Sequence, residues 1–136
     1  MTGPGDQVWR FLREGLRRLH DYDADNSRGF REKAVNDLLE AWKNTAAALL
    51  ARAAEYPGYS AAIMSGLSGG LRGAVEEAAS MGLPGRLGEA AERLLEADKC
   101  IHGGALARAA EDIADAIEAV MDSDPATLCR RSRHGS

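Results

Sequence analysis

The sequence predicts an all-α protein, a four- to five-helix bundle formed by a single domain. Apolar residues recur at helical spacing through most of the chain, and no stretch alternates as a strand would. Ala and Leu are abundant while β-branched residues are scarce, which favours helix over sheet. The 136 residues suffice to bury a core without disulfides or metals. We expect residues 1–122 to form the helical domain and residues 123–136 a basic C-terminal tail.

Two helices are expected in the first part of the chain. The first spans about residues 6–20, because apolar residues such as Val8 and Leu12 share one face. The second is one long helix over about residues 28–56. Pro57 ends it, because the residue before a proline is pushed out of helical geometry. All seven aromatic residues lie in the first 59 residues, so this part of the chain supplies the bulky side chains of the core.

The later helices are rich in Ala and Gly. The third helical segment spans residues 60–80 and contains four glycines, each of which costs a helix about 1 kcal/mol relative to Ala. We therefore expect a break near residues 68–70. A fourth helix is expected from Pro84 to about residue 99, and a fifth over about residues 105–121 after a Gly-Gly pair.

The window of residues 21–32 has the carboxylate spacing of an EF-hand calcium loop. Positions 1, 3, 5 and 12 of this window are Asp21, Asp23, Asp25 and Glu32. Alternate Asp side chains of a loop can converge on one hard cation, and a Glu in the next helix can close the cage. The window departs from the motif at position 6, where Asn26 stands in place of Gly, and at position 8, where Arg28 stands in place of an apolar residue.

The alternative interpretation of this window is a turn that caps the following helix. Asp25, Asn26 and Ser27 are residue types that interrupt helices and cap the next one, because their side chains bond nearby backbone groups. Both interpretations place a loop after the first helix. Calcium is the one cofactor that the sequence suggests, and otherwise no cofactor is expected.

Basic residues form a ridge on the first helix and a cluster in the tail. The ridge consists of Arg10, Arg13, Arg17 and Arg18, and the tail holds Arg130, Arg131 and Arg133. Such ridges can contact phosphates and position a protein on nucleic acid or on an acidic partner. The alternative is a solvated face with charge pairing along the helix, for example between Arg10 and Glu14. The whole chain has a net charge of −4, so it is not a generic nucleic-acid binder.

Two segments raise the alternative of a small enzyme with a pocket. Residues 66–73 are glycine-rich but lack the Gly-Lys-Ser/Thr ending of a phosphate loop, so a flexible joint or a close helix contact competes with anion binding. Cys100 and His102 could belong to a nucleophile or metal site, but the sequence offers them only scattered carboxylates as partners. A half-buried cysteine and a loop histidine are the competing interpretation.

A short similarity to a known class of subunits concerns Pro57, the Gly66-Leu67 pair and Leu71. At these positions the chain resembles the small helical subunits of CRISPR effector complexes, which have this size and class. The resemblance covers only these residues. It implies a subunit without catalysis, whose Arg10, Arg13, Arg17 and basic tail follow a nucleic-acid backbone.

The function expected from the sequence is that of a non-catalytic interaction module, a small subunit of a larger cytoplasmic assembly that can contact nucleic acid. A calcium-binding helical protein and a small enzyme are the alternatives. No membrane association is expected, since no apolar run is long enough to span a bilayer and residues 1–6 do not resemble a signal peptide.

Overall fold

A computed structural model describes residues 4–123 of the chain, and this part is a bundle of helices, as predicted. The helices are α1 (Pro4–Ser27), α2 (Arg31–Ala54), α3 (Ser60–Gly66), α4 (Gly70–Ser80), α5 (Leu87–His102) and α6 (Leu106–Met121). One turn of 3-10 helix, Leu67–Gly69, joins α3 to α4. This turn confirms the break expected in the third segment.

Helix α2 lies at the centre of the bundle and contacts each of the other five described helices. It forms a hairpin with α1, while α5 and α6 form a second hairpin, and the short connections make both pairs antiparallel. Fully buried leucine and isoleucine side chains fill the space between them: Leu38, Leu49, Leu94 and Ile113. The indole Nε1 of Trp42 also donates a 2.6 Å hydrogen bond to the carbonyl oxygen of Leu94, which ties α2 to α5.

The first helix is longer than predicted. It continues through the window in which a loop was expected and ends at Ser27, so that α1 and α2 have 24 residues each. Tyr22 is buried in the core, and burial of its ring favours continued helix there over the local preferences of the polar residues around it.

Helix α1 ends at a glycine cap. Gly29 has a φ of +80°, its N–H bonds the carbonyl of Asn26, and the N–H of Phe30 bonds the carbonyl of Asp25 at 2.9 Å. This pair of bonds is a Schellman motif, in which glycine adopts the left-handed conformation at low cost. The residue that ends α1 is therefore Gly29. It lies two residues after the Asp25-Asn26-Ser27 group, where the sequence predicted the interruption of the helix.

The end of the described chain is anchored to the bundle. Ser123 is fully buried, its hydroxyl accepts a hydrogen bond from the backbone N–H of Arg86, and its carbonyl accepts one from the hydroxyl of Tyr56. Ser123 is therefore packed against the helices by contacts to two other parts of the chain. Arg130, Arg131 and Arg133 of the predicted tail lie outside the described residues. Among the helices within residues 4–123, none has the length and apolar character needed to cross a membrane.

Candidate functional site

The structure does not assemble the predicted calcium loop. Asp21, Asp23 and Asp25 lie in the last two turns of α1, and Glu32 lies in the first turn of α2. Because successive helical residues are rotated by about 100°, Asp23 points away from the side shared by the other two aspartates. The prediction of a loop is therefore wrong, and these four carboxylates are not gathered as a metal site in the described chain.

Two of these aspartates instead approach Asp37 on α2, which sequence reasoning missed. Asp37 is 6% exposed, and its Oδ2 atom has no hydrogen-bond partner within residues 7–123. The pKa of Asp37 is raised to about 6, mainly by burial and in addition by the carboxyl groups of Asp25 and Asp21, while Arg18 acts in the opposite direction. The burial of Asp37 could have been predicted from the sequence, because this residue lies on the face of α2 that also carries the apolar residues Leu38 and Ala41.

Three arginines of the predicted ridge line one groove beside α1. The groove has a volume of about 730 Å³ and is lined by Arg10, Phe11, Arg13, Glu14, Arg17 and Asn44. Arg10 and Arg13 are exposed and form no ion pair with a side chain of residues 7–123. Within that range, the groove therefore presents two guanidinium groups that no carboxylate pairs with.

The other two ridge arginines both pair with Glu14. Arg17 donates from Nη2 to Glu14 Oε1 at 2.6 Å and from Nε to Oε2 at 3.0 Å, and Arg18 donates from Nε at 3.3 Å. The hydrogen bond from Arg17 is the main reason that the pKa of Glu14 lies below its usual value. Charge pairing along the helix is therefore present, and the residues that form it are Arg17 and Arg18. The pair between Arg10 and Glu14 that the sequence suggested is absent from the ion pairs within residues 7–123.

Apolar side chains accompany the free arginines on the outer face of α1. Trp9 is 40% exposed and Leu16 is 47% exposed. Their spacing of seven residues places them on one side of the helix, with Arg13 between them. A large exposed aromatic ring beside unpaired guanidinium groups is an arrangement that suits contact with a partner.

Cys100 and His102 do not share a site. The sulfur of Cys100 is buried between α5 and α6, 3.9 Å from Asp112 Oδ2 and 4.0 Å from Glu96 Oε1. His102 is exposed at the end of α5, where its Nδ1 lies 2.8 Å from the carbonyl oxygen of Asp98. Burial is the main cause that raises the pKa of Cys100, so the thiol form is favoured.

Glu96, Cys100 and Asp112 are nevertheless close enough together to hold a metal ion. Their charge is already compensated, because Arg93 lies 3.5 Å from Asp112 and Arg108 lies 4.0 Å from Glu96. Two guanidinium groups at these distances oppose the entry of a cation. The cluster is therefore best described as an ion-pair network between α5 and α6.

The glycines of residues 66–73 serve helix packing. A Cβ atom on Gly66 would lie 3.1 Å from both Ala74 Cα and Glu77 Cβ, so the missing side chain lets α3 approach α4. Gly70 has a φ of +81°, which marks the point where the chain turns into α4. The close contact and the joint predicted as alternatives to anion binding are both formed here.

Comparison with protein-family models, curated proteins and solved structures gave no match to this chain. The similarity to CRISPR small subunits therefore rests on its few sequence positions alone and stays a prediction. The candidate site is thus defined by its own geometry: the groove of Arg10, Arg13 and Arg17 together with the exposed ring of Trp9.

Proposed function

We propose that this protein is a non-catalytic helical module that binds the backbone of a single-stranded nucleic acid through the N-terminal half of α1. The observation that carries the proposal is the pair Arg10 and Arg13, exposed and without ion-pair partners in residues 7–123, around one groove beside exposed Trp9. Unpaired guanidinium groups bind phosphates and release condensed counterions, which is the main source of affinity for a nucleic-acid backbone.

The exposed indole favours a single strand over a duplex. Unpaired bases stack on aromatic side chains, and this contact is insensitive to sequence because each base has a π face. Trp9 lies within one turn of Arg10 and Arg13, so a base could stack on the ring while neighbouring phosphates contact the two arginines. The groove walls of Phe11 and Asn44 add an apolar and a hydrogen-bonding surface.

The charge distribution supports one binding face on the bundle. Residues 60–122 carry a net charge of −6, whereas the turns of α1 from Arg10 to Arg18 hold four arginines and one glutamate. The acidic helices repel a polyanion and leave α1 as the favourable side for approach. A module with one such face suits a small subunit that holds nucleic acid within a larger assembly.

The proposal predicts salt-dependent binding of a single-stranded oligonucleotide that depends on Arg10 and Arg13. Replacing both with Ala is expected to weaken binding about tenfold or more and to reduce the slope of log K against log salt by about 1.4, since each phosphate contact contributes about 0.7 for a single strand. Fluorescence anisotropy of a labelled oligonucleotide over a series of salt concentrations measures both quantities.

Two further variants make this test specific. Lys99→Ala removes one exposed charge from α5, which does not contact α1, and is expected to leave affinity and slope unchanged. Trp9→Ala is expected to weaken binding by about 1–3 kcal/mol with the slope retained, because stacking does not release counterions. Equal affinity and slope for the wild type and the double arginine variant would overturn the proposal.

A further inference from the structure

We propose that Asp25 and Asp37, with Asp21 beside them, hold a hydrated divalent cation between α1 and α2, and that Mg²⁺ is the ion bound. The site lies in the hairpin of these two helices, near the end of α1 at Ser27. None of the three aspartates lines the groove of the proposed nucleic-acid face, so this site does not depend on that proposal.

The pairing of the two helices places Asp37 opposite the last turns of α1. A Cβ atom on Gly15 would lie 3.0 Å from Thr45 Oγ1 and 3.7 Å from the carbonyl oxygen of Ala41, so these positions face each other across the hairpin. Asp37 precedes Ala41 by four residues and therefore lies one turn further along the same face of α2. Because the helices are antiparallel, this turn of α2 lies opposite the turns of α1 that follow Gly15 and lead to residues 21–25.

Asp37 supplies the observation that calls for a ligand. It is 6% exposed, and its Oδ2 atom is buried without a hydrogen-bond partner within residues 7–123. A carboxylate oxygen in this state is unfavourable, because it has lost its contacts with water and gained none from the protein. Asp21 and Asp25 are only half-buried, so water reaches both. The cluster thus combines one enclosed carboxylate with two solvated ones, as a partly hydrated ion requires.

The carboxyl groups of Asp25 and Asp37 are too close for both to be ionised with nothing between them. Burial is the main reason that the pKa of Asp37 is raised to about 6, and hydrogen bonding to Asp25 is the next, so the two groups lie within hydrogen-bonding reach. Two carboxylates are acceptors alone, so either a shared proton or a cation must join them. With a pKa of about 6 the proton is largely lost at neutral pH and above, where a cation can take its place.

The charge around the cluster favours a divalent ion. Asp21 adds a third carboxylate, and its charge also acts on Asp37. Arg18 is the basic group that acts on Asp37 in the opposite direction, and its Nε already donates to Glu14 at 3.3 Å. One guanidinium group shared with Glu14 does not balance three carboxylates, whereas an ion of charge two offsets most of their mutual repulsion.

The type and spacing of the ligands indicate a hydrated, hard ion. Carboxylate oxygens suit Mg²⁺, Ca²⁺ and Mn²⁺ better than softer metals. The three carboxylates are not drawn together in the described chain as closely as three direct ligands of one ion would be. Mg²⁺ usually keeps several of its waters and is held by one or two carboxylates. It therefore fits Asp25 and Asp37 as direct ligands, with Asp21 contacting the ion through water.

The experiment is a titration of the full chain with MgCl₂ at pH 8, with NaCl matched for ionic strength and EDTA as the ion-free reference. The Tm of the wild type is expected to rise by about 3 °C or more at saturation, because an ion that binds the folded state alone stabilises it by mass action. Asp37→Asn is expected to lose this rise, although it is the more stable protein in EDTA. Substoichiometric Mn²⁺, a paramagnetic substitute, is expected to broaden the NMR signals of the amides of residues 21–25 and of Asp37.

Two further variants make this test specific. Asp23→Asn removes an exposed carboxylate of the same helix that points away from the cluster, and is expected to keep the full rise in Tm. Asp25→Asn removes a direct ligand and is expected to weaken Mg²⁺ binding about tenfold or more. An equal rise in Tm for the wild type and Asp37→Asn, or Mn²⁺ broadening centred on Cys100 between α5 and α6, would overturn the site. The absence of any rise in the wild type would also overturn it, and would leave a shared proton between Asp25 and Asp37.

Discussion

Asp37→Asn is expected to stabilise the folded protein at pH 8 by about 3 kcal/mol, which follows from a pKa raised from 3.8 to about 6 at about 1.36 kcal/mol per pKa unit. The wild type must keep an ionised carboxylate buried beside Asp25 at this pH, with Oδ2 lacking a partner in residues 7–123. The amide of Asn carries no charge, and it can donate a hydrogen bond to the Asp25 carboxylate.

The same change is expected to have little effect at pH 4. Because the pKa of Asp37 is higher in the folded state than in the unfolded state, the protonated group contributes stability below about pH 4. That contribution is lost as the pH rises through about 6. The Asn side chain resembles the protonated carboxyl group. The difference in free energy of unfolding between variant and wild type should therefore grow as the pH rises through this interval.

Urea denaturation of both proteins at several pH values between 4 and 8 measures this difference. Asp115→Asn on α6 is the matched control, since it removes a half-exposed carboxylate and is expected to change stability by less than about 0.5 kcal/mol at each pH. A difference for Asp37→Asn that does not depend on pH would show that the carboxyl titrates normally and that its burial beside Asp25 is absent in solution.

The fold could be predicted because its determinants are local. Apolar residues at helical spacing must be buried on one side, and this requirement identified every long helix of the described chain. The error at residues 21–27 has a non-local cause, because Tyr22 is buried in the core of the bundle and this burial outweighs the preference of Asp, Asn and Ser for turns. Local propensity cannot show which helix covers a given ring.

The candidate site was only partly predictable for the same reason. The spacing of Arg10, Arg13 and Arg17 places them on one side of a helix, and the structure has them around one groove. Which arginines pair with Glu14 depends on side-chain conformation, which the spacing in the sequence leaves open. The hydrogen bond from Arg31 to the carbonyl oxygen of Gly104 joins residues 73 positions apart, and such a contact appears only after the helices pack.

Gly15→Leu is expected to lower the free energy of unfolding by about 3 kcal/mol, the upper part of the range for overpacked cores. Gly15 is buried in the middle of α1, where a Cβ atom would lie 3.0 Å from Thr45 Oγ1 and 3.4 Å from Ile117 Cδ1. The Thr45 hydroxyl cannot move away freely, because it is fully buried and donates a 2.8 Å hydrogen bond to the carbonyl oxygen of Ala41. A leucine would therefore push α1 away from α2 and α6.

Smaller substitutions distinguish the effect of the contact between Gly15 and Thr45 from the effect of helix propensity. Gly15→Ala gains about 1 kcal/mol of propensity but crowds Thr45, so the two effects should nearly cancel. Gly88→Ala on α5 gains propensity with an ordinary 3.7 Å approach to the carbonyl oxygen of Leu83, and should be neutral or stabilising. If the Thr45 hydroxyl is the atom that prevents a larger side chain at position 15, Gly15→Ala should become stabilising in a Thr45→Ala background. A double-mutant cycle by urea denaturation measures this coupling.

The outcome at Gly15 also bears on the nucleic-acid face. Arg10 and Arg13 contribute to a groove whose other wall, at Asn44, belongs to α2, so the groove exists only while α1 packs closely on that helix. Gly15→Leu should therefore weaken oligonucleotide binding even at temperatures where the variant is fully folded, although it changes no charge. Unaltered stability in Gly15→Leu would mean that α1 is held less closely than the 3.0 Å approach requires, and the groove would then lack a fixed shape.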